Sequence, residues 1–459
     1  MRMDRFMAKE KTVYVCSECG HRESKWAGRC VICGAWNTFV EENIKTKMKF
    51  SSSEKKTEPI PLSRVCGEEK SRLDCGTEEF NRVLGGGLTA DSSVLIGGRP
   101  GIGKSTLLLQ TAASAKTESV LYVSGEESAA QIKARAVRLD LNENKITLLI
   151  ENNLEAITAA VRSLKPQLVI IDSIQTVICR EAGSIPGTVN QMKFSAYELI
   201  SVCKEIGAAL FLTAHVTKDG VIAGPKLLEH LVDTVLYFED GNDDLRILRA
   251  EKNRFGAVDE SGFFIMTAKG LLEVKNPSAL FTIEREGSVP AGIARAMIME
   301  GSRMLPVEIQ ALVTPAQSSL SRVFSDKIDG KRISRIAAVV EKQIGVKFSD
   351  RDLYINVAGG MRLNDPAADL AIAMALYSSR CDLSIPQSVI FAGELSLAGE
   401  IRPIRFADKR ARSAAQAGYS LIILPPPGEK GGSWGQGAAA AADIGGCIRL
   451  VFAPAEKQK

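Results

Sequence analysis

Gly98-Arg-Pro-Gly-Ile-Gly103-Lys104-Ser105 places glycines ahead of a lysine and a hydroxyl. This spacing lets backbone N–H groups converge on phosphate oxygens at the start of a helix. Lys104 then reaches the β- and γ-phosphates of ATP, and the Ser105 hydroxyl turns to Mg2+. The expected nucleotide contacts are Gly97, Gly98, Arg99, Pro100, Gly101, Ile102, Gly103, Lys104, Ser105 and Thr106. Two acids complete the chemistry. Asp172 ends the apolar run Leu168-Val-Ile-Ile, the strand-end position from which a carboxylate orients the metal ion with Ser105. Glu126, in Ser124-Gly-Glu-Glu, is chosen over Glu127 as the group that polarises the attacking water. A solvated acidic helix start is the competing account of that pair.

A second constellation lies near the start. Cys16-x2-Cys19 and Cys30-x2-Cys33 are separated by ten residues in a segment too small to build a core. Four thiolates of this spacing suit a tetrahedral Zn2+, whose binding energy replaces the missing apolar burial. His21 is read as a bystander, and Lys25, Trp26 and Arg29, between the two pairs, as groups able to stack on or pair with a nucleic acid or a partner protein, with a solvated loop as the competing account.

The elements that hold these groups follow from periodicity. β-branched runs at Ser93–Ile96, Val120–Val123, Leu168–Ile171, Ala209–Thr213, Thr234–Phe238 and Leu245–Arg249 alternate with helical segments, the pattern of a parallel α/β sheet. A zinc knuckle is expected over 13–39, a Ser/Lys-rich linker over 40–61, a P-loop ATPase domain over 62–275 and a further mixed domain over 280–459. Lys275-Asn-Pro-Ser278 breaks the alternation between the last two. The chain is 45% apolar and 24% charged, the balance of a folding protein. Its net charge is +4, and the first 60 residues, with 12 Lys/Arg against 8 Asp/Glu, hold all of it. The body is neutral, so any nucleic-acid surface must be a local patch. No apolar run reaches bilayer length and no secretion signal opens the chain, so no membrane partner and a cytoplasmic location are expected.

The runs CSECGHRESKWAGRC and CGAWNTF, GGRPGIGKST, SGEES, VIIDSIQT and Lys252-Asn-Arg-Phe-Gly256, in this order, resemble the bacterial RadA (Sms) family of DNA repair proteins. The resemblance implies a RecA-like ATPase core and a DNA-dependent ATPase that assembles as a ring, expected to be a hexamer. It also implies single-stranded DNA and branched recombination intermediates as partners, branch migration as the task, and contact with a RecA-type recombinase. Lys252 and Arg254 follow a hairpin signal at Glu239–Asp244, so they sit at a strand end from which two cations reach a neighbouring subunit's γ-phosphate. Residues 179–193 and 215–226, with Arg180, Lys193, Lys218 and Lys226, resemble the DNA-gripping loops of RecA-like motors. Gln175 and His215 are placed to relay nucleotide state to them.

From about Leu280, VAGG at 357–360, Asp365-Pro-Ala-Ala-Asp369 and Gly393-Glu-Leu-Ser through Ile404 resemble the proteolytic domain of Lon, an α+β fold. Ala367 stands where that family has its serine nucleophile, and Asp408 where it has its lysine, with Lys409 one residue on. A methyl cannot attack a carbonyl, so an inactive scaffold for assembly and DNA contact is expected. Lys327, Lys331, Arg332 and Arg335 form its candidate basic surface. Residues 425–446, rich in Gly and Ala around Trp434, depart from the family pattern and are assigned no role. Two competing functions are a RecA-like signalling ATPase with a protein partner and an ATP-driven peptidase.

Overall fold

The computed structural model describes residues 11–44, 61–64, 71–182, 187–215, 226–241, 244–258, 260–316, 321–428 and 434–452. It divides into two compact units, Met1–Glu239 with Arg246–Glu273, and Asp240–Leu245 with Val274–Lys459.

The first unit opens with a three-stranded ribbon. β1 (Lys11–Cys16) pairs antiparallel with both β2 (Arg22–Glu23) and β3 (Phe39–Ile44). β3 runs from Phe39 to Ile44, five residues into the stretch expected to be linker, because Val40–Ile44 pair residue for residue with β1. Residues 45–60, the rest of that stretch, lie outside the described residues.

Beyond it, β4 (Arg72–Leu73), α1 (Glu78–Val83) and β5 (Leu88–Thr89) lead into a doubly wound core. Its elements are β6 (Ser93–Gly98), α2 (Lys104–Ser114), β7 (Val120–Ser124), α3 (Ala129–Arg138), β8 (Ile146–Ile150), α4 (Leu154–Leu164) and β9 (Leu168–Asp172). There follow α5 (Val189–Ile206), β10 (Ala209–His215), α6 (Lys226–Glu229), β11 (Thr234–Asp240), β12 (Leu245–Asn253), β13 (Ser261–Thr267) and β14 (Gly270–Glu273). The nine-stranded sheet has the order β14-β13-β12-β11-β6-β10-β9-β7-β8. Strands β11, β6, β10, β9, β7 and β8 are parallel, and β13 and β14 add an antiparallel margin. All six expected strands are present.

The central strands read as unbroken apolar runs because both faces are covered. Val94, Ile96, Leu168 and Ile170 enter one cluster with α2, whereas Leu95, Val169 and Ile171 enter another with α4 and α5. Helix ends are set locally: Ser128 and Gln131 form a capping box on α3, and Asn153 caps α4.

The second unit carries β15 (Ile293–Glu300), β16 (Arg303–Pro315), β17 (Val323–Phe324), α7 (Gly330–Ile344), β18 (Arg351–Val357), α8 (Asp369–Cys381) and β19 (Val389–Phe391). It ends with β20 (Glu394–Leu395), β21 (Ile401–Arg402), α9 (Ala407–Gln416), β22 (Leu421–Leu424), β23 (Ala438–Ala440) and α10 (Ile444–Phe452). Its mixed sheet has the order β17-β18-β16-β15-β19-β22-β23. The Gly/Ala-rich stretch contributes the edge strand β23, parallel to β22, and the Trp434 indole N–H donates to Pro425 O.

Candidate functional site: a nucleotide pocket and a thiol cluster

Strand register brings the chemical groups to one edge of the large sheet. Ser124 lies opposite Asp172 across β7 and β9, and His215 lies opposite Gly98 across β10 and β6. These are the carboxyl ends of parallel strands, where ligands of such sheets bind. The loop between β6 and α2 needs its glycines for two reasons. Gly101 (φ +77°) and Gly103 (φ +121°) adopt backbone that side chains disfavour. At Gly97, an added Cβ would sit 2.4 Å from Tyr237 Cε1.

The loop's lysine is buried. Lys104 Nζ donates to Gly98 O (2.8 Å) and Arg99 O (3.1 Å) and lies 3.2 Å from His215 Nδ1. Burial lowers its pKa to about 8, against the opposing pull of Asp172 and Glu126. Asp172 accepts hydrogen bonds from the Thr213 hydroxyl on Oδ1 and the Tyr122 hydroxyl on Oδ2, both at 2.7 Å. Its carboxylate is thereby fixed at the end of β9.

Glu126 Oε1 accepts from Ser173 Oγ at 2.5 Å and lies 3.5 Å from His215 Nε2. His215 first, and Ser173 with Lys104 after it, lower the Glu126 pKa to about 2 although its partial burial opposes this. Glu127 instead pairs with Arg135 on α3. Lys104, Glu126 and Asp172 therefore converge, while Glu127 is turned away.

Ser173, Thr213 and Tyr122 are supporting residues that pattern reading missed. Ser173 directly follows the strand-end Asp172, whereas Tyr122 and Thr213 lie within β7 and β10, each two residues before its carboxyl end. Gln175 donates to His215 O at 3.4 Å.

Lys252 is near the end of β12 and Arg254 follows it, at the expected margin; Arg254 is exposed, whereas the Lys252 side chain is half-buried and folded back. Lys252 Nζ donates to Glu229 O and Val232 O, each at 2.7 Å, and Arg254 Nη1 is 3.4 Å from Asp233 Oδ1. The other motif members lock the turn. Asn253 donates to Val83 O, and a Cβ on Gly256 would meet Gly85 Cα at 2.7 Å. Of the expected loop cations, Arg180 is exposed and Lys193 half-buried. Residues 183–186 and 216–225, with Lys218, lie outside the described residues, as does the Lys226 side chain.

The thiol cluster is built by two matching turns. Gly20 N–H donates to Cys16 O and Gly34 N–H to Cys30 O, each at 2.9 Å, with φ +74° at both glycines. The four Sγ atoms lie within 4.8 Å of one another, with Cys16–Cys33 at 3.7 Å and Cys19–Cys30 at 3.5 Å. A tetrahedron with Zn–S bonds of about 2.3 Å requires S···S of about 3.8 Å, so the donor set fits zinc. Burial, with the neighbouring sulfurs adding to it, pushes the Cys19 thiol up to about 12, so a cation is needed for all four to ionise together. His21 Nε2 is engaged with Glu23 and is not part of the set.

In the second unit, Ala367 is buried against Met297, Ile390 and Ala407. Asp365 accepts from Ala367 N, Met299 N and Arg410. Asp408 faces solvent beside Arg412, and Lys409 donates to Ser302 O. Arg332 corrects the expected basic surface. Its guanidinium is 14% exposed, donates to Asp369 Oδ1 (2.6 Å), Leu363 O and Asp365 O, and is consumed by the fold.

Residues 14–41 match the family profile described as rubredoxin metal binding domain, residues 61–221 that of the AAA domain, and residues 325–427 that of subunit ChlI of Mg-chelatase. The chain is 50% identical to DNA repair protein RadA of Treponema pallidum (strain Nichols), over 91% of this chain and 92% of that one. The protein of the same description from Bacillus subtilis (strain 168) is 45% identical, over 91% and 93%. The one from Pseudomonas aeruginosa is 44% identical, over 91% and 94%. A crystal structure of the RadB recombinase aligns with 44% of this chain and 99% of its own at 22% identity and a TM-score of 0.36. Among the described residues no helix is long and apolar enough to cross a membrane.

Proposed function

We propose, from the premise that this chain belongs to the DNA repair protein RadA family, that it is a DNA-dependent ATPase working as a ring on single-stranded DNA. Its task is to process recombination intermediates, including branch migration. The observation that carries the ATPase reading is the meeting of Lys104, Glu126 and Asp172 at the carboxyl edge of the sheet, beside the glycine loop.

Lys104 leaves Gly98 O and Arg99 O for the β- and γ-phosphates, and the N–H groups of 101–106 cradle the rest. Ser105 and Asp172 would hold Mg2+, which would supply positive charge against the developing phosphate charge. Glu126, held near pKa 2, orients and polarises the water rather than removing its proton outright. Loosening from His215 raises its basicity. Lys252 and Arg254 act in trans at a neighbour's γ-phosphate, and release from the Glu229 and Val232 carbonyls is the step that assembly must supply.

The family name and the basic residues Arg180, Lys193, Lys218 and Lys226 support DNA as the partner. A hexameric ring, a RecA-type recombinase partner and a cytoplasmic setting complete the reading. Phosphate release measured with single-stranded DNA, with duplex DNA and without DNA tests it. Strong stimulation by single strands, falling steeply with salt, is expected; hydrolysis indifferent to every DNA would favour a signalling ATPase with a protein partner.

A further inference from the structure

The second unit carries a groove of about 440 Å³ over β16, β17 and β18, and of its lining only Lys327 has a role above. Strand register sets three large apolar side chains side by side across it. Phe324 is opposite Tyr354, and Tyr354 is opposite Leu312. All three are exposed, Leu312 at 57%, Phe324 at 42% and Tyr354 at 38%. Such a row on an outer sheet face costs solubility unless something covers it.

Its chemistry narrows the occupant. The Phe324 and Tyr354 rings are parallel to within 8° with centroids 4.6 Å apart. The Arg322 guanidinium lies 5.5 Å from the Phe324 centroid and is held there by Asp352, 3.2 Å away and 1% exposed. The two rings thus stack on each other with the guanidinium against Phe324, so an aromatic stack is in place before any ligand arrives. Apart from Ala311 and Ile355, the rest of the lining is polar but neutral in sum, with one cation, Lys327, one anion, Asp326, the Ser325 hydroxyl and two amides, Gln310 and Asn356. An aliphatic occupant would strip water from the two charges without replacing its hydrogen bonds. A phosphate would meet Asp326. A flat, uncharged heterocycle with donors and acceptors on its edge suits both halves of the groove. Cations sit beside it: Arg322 on one side, and the exposed Lys331 in the first turn of α7, whose Gly330 approaches Val323 of β17.

We propose that this groove takes an unpaired base of single-stranded DNA, stacked on the Phe324–Tyr354 pair, with the flanking cations on its phosphates. The inference rests on the reading of single-stranded DNA as the partner and adds a base-contacting site to it.

The test uses the full chain with a fluorescein-labelled thymidine oligonucleotide and an abasic oligonucleotide of equal length and charge. Stacking makes the wild type bind the thymidine strand more tightly. Tyr354→Ala should weaken that binding about five- to a hundredfold, leave abasic binding unchanged, and leave DNA-free ATP hydrolysis unchanged. Tyr354→Phe should restore affinity, and Phe324→Leu, which keeps apolar volume, should lose it without lowering the unfolding temperature. If the wild type prefers thymidine but Tyr354→Ala binds it as well as before, the groove is not the site and only this inference falls. If the wild type binds neither strand, the DNA reading falls with it. A change in particle mass by light scattering in Tyr354→Ala would overturn the proposal in favour of a contact between copies of the chain.

Discussion

The Lys104 ammonium and the Nδ1 of His215 lie 3.2 Å apart, and the other ring nitrogen of the same imidazole lies 3.5 Å from Glu126. A nitrogen facing an ammonium accepts, which leaves Nε2 as the hydrogen-bearing atom toward the carboxylate. One side chain thus joins the group expected to hold phosphate to the group expected to orient water.

Lys104 carries the first prediction. Burial lowers its pKa to about 8, so in the free protein it loses its proton as the pH rises through that value. A triphosphate requires the charged form. Affinity for a fluorescent ATP analogue should therefore fall between pH 7 and pH 9, with proton uptake on binding near the upper end. A flat profile would contradict this. Lys104→Ala should bind and hydrolyse ATP at least about a hundredfold less well.

Ser173 is fully buried and donates to Glu126 at 2.5 Å. Removing a hydrogen bond to a charged group costs about 1.5–3 kcal/mol where the group is enclosed. Because Glu126 is partly open to solvent, the lower end applies. Ser173→Ala should lower kcat about tenfold with KM for ATP little changed; a rise in KM alone would mean that Ser173 serves binding.

Lys252 tests sharing between subunits. On the trans role proposed for it, Lys252→Ala should bind ATP and hydrolyse it poorly. Mixing it with Lys104→Ala should recover part of the activity, because mixed rings pair an intact pocket with an intact Lys252. Absence of recovery at every mixing ratio would place each site within one chain.

Arg332 and Lys331 separate fold from surface. Asp369 is fully buried and its Oδ1 takes the Arg332 Nε–H. Arg332→Gln should cost about 3 kcal/mol of unfolding free energy, since Arg335 replaces only part of the lost charge. Lys331→Gln, on an exposed turn, should leave stability unchanged and reduce the salt dependence of DNA binding. Equal stability of both variants in a denaturant titration would refute the distinction.

The thiol cluster gives a stoichiometric prediction. Metal released by a mercurial and read with a metallochromic dye should reach about one zinc per chain. Cys30→Ser should release less and raise hydrogen exchange across residues 11–44, with the sheet core unaffected.

Much of the site is legible in the sequence because its determinants are local. Glycine spacing fixes the loop before Lys104, and the two Cys-x2-Cys-Gly turns need only their own residues and a φ of +74° after each second cysteine. The central strands announce themselves as continuous apolar runs because helices cover both faces. Composition and order of motifs thus determine which chemistry the chain carries. Tertiary structure alone decides which side chains meet. Thr213 and Tyr122 reach Asp172 from neighbouring strands, and Ser173, just past β9, reaches Glu126 beyond β7, through pairings that no local pattern encodes. The same holds for charge. Arg332 and Lys331 are neighbours in sequence, yet one is half-buried and bound to the buried Asp369 while the other is exposed. A helix turns successive residues by about 100°, and only packing says which face meets the core.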